Sequence, residues 1–404
     1  MGTARKTILL FHGALRAIGG AEAVAAWTIE ALRDDYDITV LTWEADAPDK
    51  LNHMFGASLR AGDYRIIGPS RVARMCLDHL VARNERHRFQ KVCWLYRLAR
   101  RMRNDYDLLI STHDEVDFGR AAIQYIHYPT FHRILTAERE AAARAREQTA
   151  PVRALSDIRR RLQPWRLLSG FSSAGIKMNL TLANSHWTGA VVRDLYGVEA
   201  VTVYPPVAGD FPDVPWEQRA NQFVCIGRFV PHKRLDLVID TLAAVRGHGH
   251  DVRLLLIGLP WDDAAGRDYL ARIRARAAEH AAWITIAENI PRAELVRRLG
   301  ASRYGIHAAE EEPFGIAPAE MAQAGCIPFT GYNGGQAEIV GRDERLLFET
   351  VEEGARKIMA VLENPDAQIA LRQFLGARKS LFSADTFVRR IREIVQTFAA
   401  APGG

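Results

Sequence analysis

Short apolar runs recur along the chain, each closed by a glycine, proline or polar loop and most followed by a helical periodicity. The first is TILLFHGA (7–14), then a loop with Gly19-Gly20, a helical pattern over 21–33, and DITVLTW (37–43). That order reads as strand, loop, helix, strand. Similar runs follow at 107–112, 121–129, 180–185 and 200–206, and again at 222–230, 252–259, 283–290, 304–310, 327–332 and 345–350. Runs of this kind predict strands covered on both faces, hence two parallel sheets with helices packed on each side. Pro205-Pro206 and the stretch to about Gln218 read as the linker, and beyond Asp366 two more helical patterns run to Ala400.

Length supports the division, because 404 residues exceed one hydrophobic core. Hydrophobic residues make 48% of the chain and charged ones 25%, with no apolar run long enough to span a bilayer. The run TILLF is too short for a signal-peptide core, so the cytoplasm is the expected address. Cys76, Cys93, Cys225 and Cys326 show neither C-x-x-C nor metal spacing and read as buried free thiols, with no structural metal. Up to Tyr204, Lys and Arg outnumber Asp and Glu by 29 to 22; after it the acids lead by 26 to 24. No G-x-G-x-x-G follows a first strand in either half, which argues against a nicotinamide or flavin dinucleotide site.

In open parallel sheets, ligands sit beyond the carboxyl ends of the strands. At the first exit, His12 precedes Gly19 and Gly20, which open a helix and bring backbone close to a phosphate or sugar. The exit of 222–230 carries Arg228 and Lys233 around Pro231, a planar fork and a point charge suited to a diphosphate. The exit of 304–310 delivers Glu310, Glu311 and Glu312, then Phe314, Gly315 and Ile316 at a helix start, with Pro318 in the first turn and Glu320 beyond it. Here Glu312 is expected to accept from sugar hydroxyls and Glu320 from a ribose diol. His113 and His127 fall at strand exits in the first half, within reach of a sugar hydroxyl or phosphate, and Asp114 and Glu115 read as solvated neighbours. Two D-x-D pairs, Asp35/Asp37 and Asp105/Asp107, precede their strands, the wrong edge for a metal-dependent transferase.

This constellation resembles glycosyltransferase family 4, through Glu312 to Glu320 (E-x(7)-E), the loop Gly19 to Glu22, and Gly227, Arg228 and Lys233 (G-R-x-x-x-x-K). HYPT (127–130), ANSHWT (183–188), YPP (204–206) and PFGIAPAE (313–320) are similar to lipid-linked-oligosaccharide α-1,2-mannosyltransferases. Where the family reads E-A-M-A from the second glutamate, this chain reads Glu320-Met321-Ala322-Gln323. The resemblance implies an α/β chain of the GT-B fold, two Rossmann-like doubly wound parallel-sheet domains facing a central cleft. Residues 1–206 would be the acceptor-binding domain, 207–380 the nucleotide-sugar-binding domain, and 381–404 a helix crossing back toward the first. It further implies retaining transfer without metal or cofactor, from GDP-mannose or alternatively a UDP-sugar to a glycan or lipid-linked acceptor. Arg228, Lys233, Glu312 and His113 would be catalytic; Gly19, Gly20, His127, Phe314, Gly315, Ile316 and Glu320 would bind substrate. The alternatives are a retaining phosphorylase of the same architecture and a non-catalytic sugar-nucleotide-binding subunit.

Two basic stretches, 83–103 and 153–177, interleave arginines with Trp94, Leu95, Tyr96, Trp165 and Phe171. They carry the hypothesis of peripheral contact with an anionic membrane at its inner face. Nothing matches a nucleic-acid-binding motif, so no nucleic acid is expected.

Overall fold

The computed structural model describes residues 5–83, 88–145, 164–261 and 263–401. Two compact units result: residues 1–206 with 387–404, and residues 207–386. The first holds seven strands: β1 (Lys6–Phe11), β2 (Tyr36–Leu41), β3 (Tyr64–Ile67), β4 (Leu108–Ser111), β5 (Ile123–Ile126), β6 (Leu180–Ala183) and β7 (Val201–Thr202), paired in the order 3-2-1-4-5-6-7. In the second are β8 (Ala220–Phe229), β9 (Arg253–Pro260), β10 (Ile284–Glu288), β11 (Ser302–His307), β12 (Ile327–Gly331) and β13 (Leu347–Phe348), in the order 10-9-8-11-12-13. The pairings within both sheets are parallel, so each sheet has one edge where strands end.

Strand side chains alternate between two cores, as a doubly covered sheet requires. Ile8 and Leu10 pack with the helix Gly20–Leu32, whereas Leu9 and Phe11 face Cys93, Tyr96 and Phe118. In the second unit Phe223 and Cys225 join one cluster, while Val224 joins Met321 and Leu299 on the other face. Strand β3 is absent from the apolar runs because it is an edge strand with Arg65 and Ile66 exposed. Phe387, Ile391 and Val395 of the helix Ala384–Ala400 fill the first unit's core, and Lys6 Nζ donates to Ala399 O at 3.0 Å.

Three sequence expectations are corrected here. Cys76 is exposed on the helix Arg71–Arg83; the other three thiols are buried. Leu95, Tyr96, Trp165 and Phe171 are buried core residues, with Phe131 and Trp165 stacked at 5.0 Å, so these apolar side chains pack inside the first unit and are not on its surface. Arg153, Arg159, Arg160 and Arg161 lie outside the described residues. Glu115 is fully buried and accepts from Thr130 N, Phe131 N and Tyr196 OH at 3.0, 3.0 and 2.5 Å; Asp114 accepts from His127 N at 2.7 Å. These carboxyls satisfy loop donors instead of meeting solvent. Among the described residues, no helix is long and apolar enough to cross a membrane.

Candidate functional site

In the second unit β8 ends beside a single 3-10 turn, Pro231–Lys233. That turn places the Lys233 ammonium on the Glu312 carboxylate, 79 residues away in sequence. His307 ends β11 and brings Nε2 to 3.4 Å from Glu312 Oε2. Burial alone would raise the pKa of Glu312, but Lys233 and His307 outweigh it and hold the carboxyl below its usual range. Burial also pushes the His307 imidazole down, although Glu312 opposes this. A half-buried ion pair beside a buried imidazole whose neutral form is favoured is the result.

Backbone geometry fixes Glu312 from the other side. Gly335 N donates to Glu312 O at 2.8 Å, and Gly334 has φ 126°, where a Cβ would stand 2.5 Å from that oxygen. Gly315 caps the helix Ile316–Gln323 at φ 101°, with room for no side chain, since a Cβ would meet Pro318 Cγ at 2.8 Å. Pro318 does fall in the first turn. Phe314 is buried against Phe382, so what it offers a ligand is backbone rather than ring. The early N–H groups of this helix end beside the same strand exits.

Glu320 belongs to a different pair. It bonds Arg292, the first residue of the helix Arg292–Gly300 that follows β10, and Arg292 Nη2 also donates to Ala208 O at 3.1 Å. Burial raises the Glu320 pKa while Arg292 opposes the rise. Of the two expected cations, Lys233 is neutralised by Glu312. Arg228 is exposed with its guanidinium 4.6 Å from the Trp261 ring, and it has no carboxylate partner among the described residues. Arg234 is taken up by Glu310 at 3.1 Å. Thus the strand-exit edge brings Arg228, Lys233, Glu312, Gly315 and Ile316 together, and holds Glu320 through Arg292.

Sequence reasoning missed His307, Arg292 and Trp261. Each stands at or just past the end of a strand, β11, β10 and β9 respectively, so the strand-exit rule applied to every strand would have found them.

The first unit's strand exits carry imidazoles. His12, His113 and His127 follow β1, β4 and β5. His12 Nδ1 and His127 Nε2 each lie 3.1 Å from the Thr112 carbonyl, and the His12 and His113 rings meet edge to face at 5.3 Å. Gly13 makes space for His113, whose Cε1 would be 2.8 Å from a Cβ there. Burial lowers all three pKa values, most strongly that of His12. Gly19 is the extended N-cap of the helix Gly20–Leu32, a conformation open to any residue, so close approach rather than backbone freedom is what a glycine there supplies. Asp107 accepts from Thr7 N at 2.7 Å at the opposite edge, where β1 and β4 begin.

Residues 209–376 match the family model described as Glycosyl transferases group 1. A GDP-Man:Man(3)GlcNAc(2)-PP-Dol alpha-1,2-mannosyltransferase of Dictyostelium discoideum is 26% identical over 250 residues, covering 56% of this chain and 48% of that protein. The protein of the same name from Homo sapiens is 27% identical over 237 residues, covering 54% and 48%. The chain therefore spans about half the length of the curated relatives it matches. Anabaena HepE in complex with UDP and glucose superposes with a TM-score of 0.64 at 17% identity, covering 97% of this chain and 100% of that one. WaaG, a glycosyltransferase involved in lipopolysaccharide biosynthesis, superposes with 0.61 at 11% identity, covering 96% and 99%. At these identities the likeness establishes the fold, two Rossmann-like domains of the GT-B type. Within that fold, the unit that carries Lys233, Glu312 and Glu320 is similar to the Glycosyl transferases group 1 family over residues 209–376.

Proposed function

We propose that the protein is a retaining, metal-independent hexosyltransferase that moves mannose from GDP-mannose to a lipid-linked glycan acceptor. The observation that carries this reading is the half-buried Lys233–Glu312 pair with His307, set beside Arg228, which has no carboxylate partner among the described residues, at the strand exits of the group 1 domain. As the bond from the anomeric carbon to the phosphate oxygen breaks, its electron pair stays with the diphosphate. Arg228, the remaining Lys233 donors and the N–H groups at Ile316 stabilise that charge. The acceptor hydroxyl attacks from the same face, and its proton passes to the departing phosphate oxygen. Glu312, held ionised, accepts from hydroxyls of the transferred sugar. Glu320 accepts from the ribose diol while Arg292 fixes its direction.

The first unit takes the acceptor. Its neutral His113 and His127 rings hydrogen-bond sugar hydroxyls, and the Gly19-Gly20 turn lets the acceptor approach the backbone. Support for GDP-mannose comes from the names of the relatives, and a UDP-sugar is the second reading because HepE was solved with UDP and glucose. Peripheral contact with anionic lipid is assigned to the helix Arg71–Arg83, where Val72 and Met75 stand 67% exposed beside Arg71 and Arg74. Vesicle flotation that ignores anionic lipid content would remove this last element.

A melting-temperature panel of nucleotides and nucleotide-sugars selects the donor, because a ligand of the folded state raises the melting point. GDP and GDP-mannose should give the largest rise, and radiolabelled mannose should then appear in a lipid-linked acceptor. Sugar phosphate released only when inorganic phosphate is added would instead indicate a phosphorylase; no response to any nucleotide would end the transferase reading.

A further inference from the structure

A cavity of about 470 Å³ opens in the second unit at the edge where the strands begin, the opposite end from Lys233 and Glu312. Its walls are the 213–219 segment, the C-terminal end of the helix Ile316–Gln323 and the helix Pro365–Arg378. Three cations line it, Arg219, Arg372 and Lys379, and none forms an ion pair among the described residues. Arg219 is buried and Lys379 half-buried, and each gives part of its donor capacity to a carbonyl near the end of that helix, Ala324 O and Gln323 O, both at 2.8 Å.

Arg372 is different. Its guanidinium lies 4.7 Å from the buried Trp216 ring, which is itself held edge-on by Tyr304 at 5.7 Å. Stacking uses the guanidinium face and leaves its in-plane N–H donors free for a bidentate acceptor. Those donors have no protein acceptor among the described residues. Burial first, and Arg219 next, push the Lys379 ammonium down, which places the like charges close enough to repel. Two carboxylates, Asp213 and Glu217, also line the cavity, but both are exposed. Ile369 and Leu375 supply an apolar wall. The volume falls in the range of small-molecule sites, about 300–1,000 Å³, and suits one phosphate on a sugar-sized body.

We propose that this cavity binds a small soluble phosphate-bearing solute, with Arg372 and Lys379 gripping the phosphate and Arg219 supplying charge beneath it. The test is calorimetric titration of the full chain with inorganic phosphate and with pyrophosphate, which reads binding without turnover and so stands apart from any failure to find transfer. Arg372→Ala should weaken one phosphate site about tenfold or more, the loss expected for a charged hydrogen-bonded partner. Asp213→Asn, which removes a repelling lining charge from the exposed surface, should tighten the same site. Lys233→Ala should leave it unchanged. Vesicles of anionic lipid should not displace free phosphate from it. Phosphate isotherms that are alike for wild type, Arg372→Ala and Asp213→Asn overturn the proposal, as do loss of all phosphate binding in Lys233→Ala and displacement by the vesicles.

Discussion

The two units use the same architecture and furnish the ends of their strands differently. In the first, three imidazoles share the edge, two of them tied to the Thr112 carbonyl, while Asp114 and Glu115 are absorbed by loop N–H groups. The second offers permanent ions, Lys233 on Glu312, Arg292 on Glu320, and Arg228 on an aromatic face. Burial lowers the histidines and so favours their neutral form. Neutral donors suit hydroxyls, whereas full charges suit a departing diphosphate. The lesson is that a shared fold assigns the place of chemistry and the residue types at strand ends assign its kind.

The comparison breaks most visibly at Lys233. Lys233→Ala or Glu312→Ala should lower turnover by about two to three orders of magnitude, as expected when a transition-state charge partner is lost. His113→Ala should cost less than either, because a neutral contact is exchanged for none; a larger loss at His113, measured as kcat/KM on the same donor, would reverse the contrast drawn between the edges. Next in size is Glu320→Gln, which leaves Arg292 without its counter-ion and should raise the donor KM by about tenfold with kcat little changed. An effect on kcat alone would move Glu320 from binding to chemistry.

Gly315→Ala probes how the second edge is built. With φ at 101° and Pro318 Cγ 2.8 Å from the new carbon, it should destabilise the second unit by about 1–3 kcal/mol, seen as a lower melting temperature. Gly19→Ala, in extended backbone, should leave melting close to wild type.

The smallest effect is on pH dependence in the first unit. His12, His113 and His127 titrate below the ordinary 6.5, so the unfolded chain takes up protons first as the pH falls, and stability present above about 6.5 is lost below it. Glu115, pushed up to about 7 by burial and then by Asp114, acts in the opposite sense. Folded chain holds that proton between about 4.5 and 7, and this contribution fades as the pH rises through 7. Glu115→Gln should therefore steepen the loss of hydrogen-exchange protection in the first unit between pH 7 and 5; an unchanged slope would show that Glu115 is ionised throughout.

Much of this was legible before any coordinates. Apolar runs located the strands of both sheets apart from β3, whose exposed edge position gives it no such run. Looking only at strand exits singled out Lys233, Glu312 and His113. Arg292 and His307 stand at strand exits too, and were passed over because nothing local to either residue announces the carboxylate it meets. Trp94, Leu95, Tyr96, Trp165 and Phe171 misled for the converse reason, since an amphipathic basic helix reads alike whether its apolar face covers a core or lipid.

What the chain determined by itself is therefore local: short near-continuous apolar runs, a glycine at Gly315 where φ is positive, and a proline tolerated in the first turn after it. Which charge meets which was decided only by tertiary structure. Lys233 and Glu312 are 79 residues apart, and Arg292 and Glu320 are 28 apart, on separate elements. Coulomb attraction and desolvation depend on separation and burial, and neither distance in space nor access to water is a property of a segment on its own.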